Sequence, residues 1–337
     1  MKNFMFIVLT VIGLNCAFAL PGNGLKGNDS NQWLKIKIPG AKCGLGADYS
    51  VFLRPQSEKK FLIEFMGAGA CWNLKSCVTM PTTWVYPMVE LSSYSTLTSA
   101  RWEPNPFKEY SFLYLPYCTG DVFTGNRIST YEGVKIYHYG YRNVILTLNY
   151  LRDKKLIKFD RVEDLIVWGS SAGGIGALTH GKHIENYFPS QTKKVLIADS
   201  PGLHFGSTFW DKFDSDAHMD FKKAFNHIHL DVDFHDGFVA RKIGPVLEHY
   251  KNWKLGFLIG LRDSVMSRFF GEISPTEHQK LVLGHEGLPA IAARYPHVQV
   301  WLSDSSEHRF LLTKKAATSK SIQNLRAIDF VKGISDK

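Results

Sequence analysis

Short apolar runs closed by glycine or proline alternate with longer stretches of helical spacing along most of the chain. Leu165 to Trp168 is an unbroken apolar run of the kind that lies buried on both faces of a parallel sheet. Comparable runs at Trp33 to Ile38, Tyr49 to Leu53, Phe61 to Met66, Ser111 to Tyr117, Lys194 to Ile197, Lys254 to Gly260 and Val298 to Leu302 predict further strands. The first two are separated by Pro39-Gly40 and Gly44-Leu45-Gly46 and read as an antiparallel edge. From Thr130 to about Lys155 the residues Val134, Tyr137, Tyr141, Val144, Ile145 and Leu148 recur at helical spacing, and Arg152-Asp153-Lys154-Lys155 closes the stretch with basic side chains suited to a helix C-terminus. His138 falls inside that helix and reads as a packed histidine. Ala172 to Tyr187 predicts another helix, so strand, helix and strand follow one another across residues 165–197 in the rhythm of a parallel sheet. Residues 204–251, rich in Phe, His and Asp, predict a helical cap or irregular helices over it.

Residues 1–19 stand apart from this rhythm. Lys2, the apolar stretch Phe4 to Leu14 and Ala17-Phe18-Ala19 have the layout of a signal peptide cleaved after Ala19, too short to span a bilayer. Asn15 before Cys16 argues against a lipid anchor on that cysteine. Residues 20–337 then form a single exported catalytic domain, periplasmic or extracellular and monomeric, because no linker, repeat or low-complexity segment divides them. The formal charge of +9 is spread without basic runs, which excludes a nucleic-acid site and leaves only a weak preference for an acidic polymer. Export leaves Cys43, Cys71, Cys77 and Cys118, an even number that predicts disulfides rather than metal ligation. Three pairings are possible. Cys71 with Cys77, inside one loop, and Cys43 with Cys118, tying the early strands, is the preferred one.

The chemistry gathers at strand ends. Gly169-x-Ser171-x-Gly173 follows the buried run and opens a helix, the spacing of a nucleophile elbow that lifts a serine into a cleft. Phe61 to Met66 runs into Gly67-Ala68-Gly69-Ala70-Cys71-Trp72-Asn73, where the N–H groups of Ala68 and Gly69, joined by that of Ala172, are candidates for an oxyanion hole. Arg262-Asp263-Ser264 and Glu307-His308 follow the last two strands. Ser171, Asp263 and His308 thus satisfy the order serine, acid, histidine of α/β-hydrolases. Asp199, also after a strand, is the rival acid, with loop orientation as its other role. His227-Ile228-His229-Leu230-Asp231 has a metal-like look, but Val232 stands where a histidine would follow the aspartate. No metal and no cofactor is expected.

The segments 64–73, Tyr117-Cys118-Thr119-Gly120-Asp121-Val122-Phe123-Thr124-Gly125, 168–174, Ala198-Asp199-Ser200, 262–264 and 307–308 together resemble the pectin acetylesterase and Notum family of serine hydrolases. The resemblance implies an α/β-hydrolase-like fold, mostly parallel in its central sheet, with helices on both faces and a helical cap. It also implies a secreted serine esterase without cofactor that removes O-acyl groups, most typically acetyl from pectin, through an acyl-serine. Ser171 would be nucleophile, Asp263 and His308 acid and base, and Ala68, Gly69 and Ala172 the oxyanion hole. Gly67, Trp72 and Asp121 would contact substrate, and the preferred cysteine pairing looks like the family's. Where plant members tend to have Gly-Gly-Gly-Trp-Cys, this chain moves Trp72 past Cys71, which leaves the acyl length open. The expected partner is an O-acylated polysaccharide, acidic in one reading, or a small ester. Two alternatives remain: a carboxylesterase or lipase for apolar esters, its pocket lined by the aromatic segment Phe205 to Phe213, and a non-catalytic carbohydrate-binding relative.

Overall fold

The computed structural model describes residues 33–88 and 95–336; the predicted leader lies outside them. Among the described residues ten strands are formed: β1 (Leu34–Lys42), β2 (Asp48–Arg54), β3 (Lys60–Phe65), β4 (Ser111–Leu115), β5 (Arg127–Tyr131), β6 (Val134–His138), β7 (Asp164–Ser170), β8 (Lys193–Asp199), β9 (Lys254–Gly260) and β10 (Val298–Ser303). Eight of them make one sheet in the order β1-β2-β4-β3-β7-β8-β9-β10. From β4 to β10 every pairing in it is parallel, while β1 and β2 add an antiparallel edge. The helices that matter for the site are α1 (Gly140–Asp153), α2 (Ala172–Glu185), α3 (Ser215–Asn226), α4 (Gly244–His249), and α5 (Ala327–Ser335) at the C-terminal end. None of the helices among the described residues is long and apolar enough to cross a membrane.

Two-residue alternation divides the core between the faces of the sheet. In β3, Phe61, Ile63 and Phe65 point to one face with Val144 and Leu148 of α1 and Ala177 and Leu178 of α2. Leu62 points to the other, where Ile166 and Trp168 of β7 meet Ile328, Val331 and Ile334 of α5. Each large apolar side chain withdrawn from water in this way contributes about 1.5–3 kcal/mol. Helices therefore cover both faces. Across residues 204–251 a cap does form, from 3₁₀ turns at Phe209–Lys212 and Val239–Lys242 together with α3 and α4. Both disulfides, Cys43–Cys118 and Cys71–Cys77, have the preferred pairing.

The helix expected from Thr130 is shorter than its apolar spacing suggests. Residues 127–138 fold instead as the antiparallel hairpin of β5 and β6, and α1 starts at Gly140. Glu132 and Gly133, at φ 50° and 83°, make the two-residue turn whose twist suits a hairpin. Val134, Ile136 and His138 alternate inward as a strand requires, and the helical count starting at Val134 was an accident of aromatic residues on both sides. His138 is packed, as expected, but on a strand: its Nδ1 is 2.9 Å from the carbonyl oxygen of Thr119 and its Nε2 3.1 Å from the Tyr131 hydroxyl.

Candidate active site

Ser171 caps α2 with φ 56° and ψ −124°, a backbone conformation costly for any residue with a side chain. Its neighbours make that turn feasible. A β-carbon on Gly169 would come within 2.1 Å of the Gly173 carbonyl oxygen, and one on Gly173 within 2.1 Å of the Phe65 carbonyl oxygen. Strand and helix can therefore approach only with glycine at both places. The Ser171 N–H donates to the carbonyl oxygen of Asp199 at 2.8 Å, so the turn is held from the adjacent strand. The N-terminal end of α2, positive in its dipole, lies immediately behind the serine.

Ser171 forms part of the wall of a cavity of about 610 Å³, mouth included, together with Ala68, Gly69 and Ala172. Among the described residues no group of the chain accepts from the N–H groups of Ala68, Gly69 or Ala172, which leaves these donors for a ligand. The far wall is aromatic. Phe205, Phe209, Trp210 and Phe213 come from the start of the cap, Phe221 and Phe225 from one face of α3. Val122, Met266 and Phe270 join the lining from other loops.

Beyond β9, Asp263 is buried and both oxygens of its carboxylate have partners. Oδ1 accepts from the N–H groups of Val265 and Met266, each at 2.9 Å, and Oδ2 lies 2.7 Å from His308 Nδ1. The carboxylate therefore fixes the ring orientation and favours the tautomer with its proton on Nδ1. Asp199 serves a different loop. Its Oδ2 accepts from the N–H groups of Phe310 and Leu311 at 2.7 and 2.8 Å, and its Oδ1 from the Ser200 hydroxyl at 3.1 Å. Burial raises its pKa above the usual carboxylate value, and these hydrogen bonds oppose the shift. Asp199 thus ties the serine turn, through its carbonyl, to the segment after His308, through its carboxylate.

Three expected substrate contacts sit elsewhere. Asp121 is buried, accepting from the Thr119 hydroxyl and from the N–H groups of Phe123 and Gly140, so its carboxylate folds the loop while Val122 reaches the cavity. Gly67 faces the Ser170 backbone, where a β-carbon would be 2.4 Å from the carbonyl oxygen. Trp72 stands behind the wall, its ring edge-on to Phe213 with centroids 5.7 Å apart. The wall residues Phe221 and Phe225 were not singled out from the sequence, although their spacing of four on a helix was the available signal. The metal-like histidines are stacked in pairs, His227 on His183 at 3.6 Å and His229 on His249 at 4.1 Å. Cys71, Cys77 and His138 lie close enough together to suggest a metal, but the disulfide leaves no thiolate there.

A family model described as pectinacetylesterase matches residues 32–231, which include the serine turn and the loop after β3. Among curated proteins, the palmitoleoyl-protein carboxylesterase NOTUM of Schmidtea mediterranea is 26% identical over 167 residues, 46% of this chain and 31% of that protein. Palmitoleoyl-protein carboxylesterase notum2 of Xenopus laevis is 25% identical over 144 residues, 40% of this chain and 28% of its own. The matched region thus spans less than a third of either relative. The solved structure of the Wnt deacylase Notum from Drosophila superposes with a TM-score of 0.61 at 16% identity, covering 91% of this chain and 94% of the other, which extends the α/β-hydrolase fold likeness past β10. By its motifs, its fold and the matched model, this chain belongs to the pectinacetylesterase family.

Proposed function

We propose that the protein is an exported carboxylic ester hydrolase that works through an acyl-serine. What carries the reading is a strained serine in the wall of an apolar cavity, with a carboxylate and an imidazole in contact on neighbouring strand ends. In this reading His308 Nε2 takes the Ser171 proton as the oxygen attacks the ester carbonyl. The N–H groups of Ala68, Gly69 and Ala172 hold the oxyanion. His308 then gives the proton to the departing alcohol, and a water that it deprotonates releases the acid from the serine. Asp263 keeps the imidazole in the required tautomer throughout. Export is supported by the leader in the sequence and the two disulfides.

The cavity favours an acyl chain longer than acetyl. An acetyl methyl would touch only a small part of this lining, whereas the seven aromatic side chains along it, Phe270 included, suit an extended hydrocarbon. The relatives named as palmitoleoyl-protein carboxylesterases support this reading. A second reading, acetyl removal from pectin or another acetylated polysaccharide, is supported by the family's name. Each buried methylene is worth about 0.8 kcal/mol, so the octanoyl ester of p-nitrophenol should exceed the acetyl ester in kcat/KM by about tenfold or more. Equal or better turnover of the acetyl ester would favour the polysaccharide reading. Ser171→Ala should lower turnover of either by at least about 10³-fold with an unchanged circular dichroism spectrum, and a variant near the parental rate would remove the mechanism.

A further inference from the structure

Arg309 follows His308 directly and has no assigned task. Its backbone is left-handed, φ 70°, and is fixed in place by its N–H, which donates to the Ser200 hydroxyl at 3.1 Å. The side chain is half-buried, its Nε is shut off from solvent, and among the described residues that nitrogen has no hydrogen-bond partner. Two carboxylates, Asp199 and Asp263, attract the guanidinium from nearby, yet every oxygen of both is already engaged. Asp199 is taken up by Phe310, Leu311 and Ser200, and Asp263 by Val265, Met266 and His308. Burial also lowers the Arg309 pKa, against the pull of the two aspartates, and a guanidinium is by its chemistry a cation in proteins. A planar cation has been brought beside the base, and among the described residues no hydrogen bond or ion pair of its guanidinium is formed.

Its side of the site is informative. The acyl cavity lies under the cap and takes no lining from residues 308–311. Phe310 and Leu311, which follow Arg309, and Tyr114, near its charge, belong to the opposite face of the sheet. In the esterase reading His308 protonates the departing alcohol, so the alcohol component leaves past this loop. We propose that Arg309 binds an anionic oxygen group, a carboxylate or a sulfate, on the alcohol part of the ester, and so selects substrates by what the acyl group is attached to. A guanidinium offers such a group two parallel donors in one plane, which no lysine can match.

The inference rests on the esterase reading, and the test separates the two. Substrates would be a single acyl group, whichever the enzyme prefers, on 4-hydroxybenzoate, on 4-hydroxybenzenesulfonate and on neutral methyl 4-hydroxybenzoate. Hydrolysis of each adds one water across the acyl C–O bond and releases the acid and the phenol. The quantity read is kcat/KM on each anionic ester divided by that on the neutral one. Arg309→Gln should lower this ratio by about tenfold or more, and Arg309→Lys by less, since it keeps the charge but not the fork. In the unaltered protein, raising the salt concentration should lower the ratio as well. A fall for both anions identifies a general oxyanion site, and a fall for the carboxylate alone identifies a planar one. Equal losses on charged and neutral esters, or an unchanged ratio, would overturn the proposal and leave Arg309 as a counter-charge to the two aspartates. Should Arg309→Gln fail to fold, the lysine variant and the salt series decide. Failure of the unaltered protein to cleave any of the esters would remove the esterase reading, and this inference with it.

Discussion

Around Asp199 three residues with side chains hold left-handed backbone conformations: Ser171, Ser200 and Arg309, at φ 56°, 54° and 70°. Each costs about 1–3 kcal/mol, and all three are held by hydrogen bonds to Asp199 or its neighbour, so strain is concentrated where two loops meet. Glu64 is a different expense in the same sheet. It sits opposite Tyr114 and Trp168 in register, fully buried, with the Ser95 hydroxyl 3.0 Å from its Oε2. Burial pushes its carboxyl up to about 8, which the Ser95 hydroxyl only partly offsets. The sign of the consequence follows from the unfolded value of 4.5. Between that value and about 8 the folded chain keeps a proton that the unfolded chain has released. The stability it contributes is complete below about pH 4.5 and is lost as pH rises through 8. Glu64→Gln should therefore melt closer to its own neutral value at pH 9 than the parent does. Melting temperatures at pH 6 and pH 9 measure this, and identical differences for the two proteins would mean that Glu64 is not the titrating group.

The end of β8 and the loop after β9 present two buried aspartates that the sequence could rank only by position. Their partners separate them, since Asp263 meets the imidazole and Asp199 meets backbone N–H groups. Asp263→Asn would face the His308 Nδ1 with an amide and disturb its tautomer, so kcat should fall by about 10³–10⁴-fold with little change in melting temperature. Asp199→Asn weakens the anchor for residues 310–311 and should lower the melting temperature, with less than about tenfold loss of kcat. The opposite ordering of activities would exchange their roles. The same loops explain what was legible. The central strands of the large sheet announced themselves as runs such as Leu165 to Trp168, because burial on both faces leaves little choice of residue. The edge strand β1 was misjudged at its end: Pro39 and Gly40, expected as turn material, lie inside it, and its half-exposed residues carry no such run. The elbow was legible because only glycine fits at positions 169 and 173. The hairpin of β5 and β6 was not, since its faces are only half-buried and its apolar residues match two periods at once. Arg309 carried no pattern at all; its interest lies in the partner its Nε lacks among the described residues, which only coordinates display.

A chain with thirteen histidines and a charge of +9 faces a particular difficulty in acid. His138 and His180 are buried and neutral, each pushed down to about 3 by loss of hydration, and His183 is lowered to about 4 for the same reason. His183 also stacks on His227 where α2 and α3 end, so charging one ring opposes charging the other. In the unfolded chain all of these titrate near 6.5. Below that pH the unfolded state binds protons that the native state refuses. The stabilising effect of neutral burial is therefore fully present above about 6.5 and is lost as pH falls toward the folded values. For the two fully buried rings the loss is on the order of a few kcal/mol each once pH nears 4. Glu64 works in the opposite sense between about 4.5 and 8, but below about 6.5 the three imidazoles outweigh it, so the balance of these groups places the stability maximum near pH 6.5. His180 is the better probe of the acid limb, because its Nε2 contact with the Phe123 carbonyl oxygen, 2.8 Å, can be taken over by an amide N–H. His180→Gln should melt lower than the parent at pH 7, for want of a well-packed ring, yet lose less on going to pH 4.5. Thermal melts of both proteins at half-unit steps across that interval give the two slopes. Parallel slopes would place the acid sensitivity in groups other than the buried imidazoles.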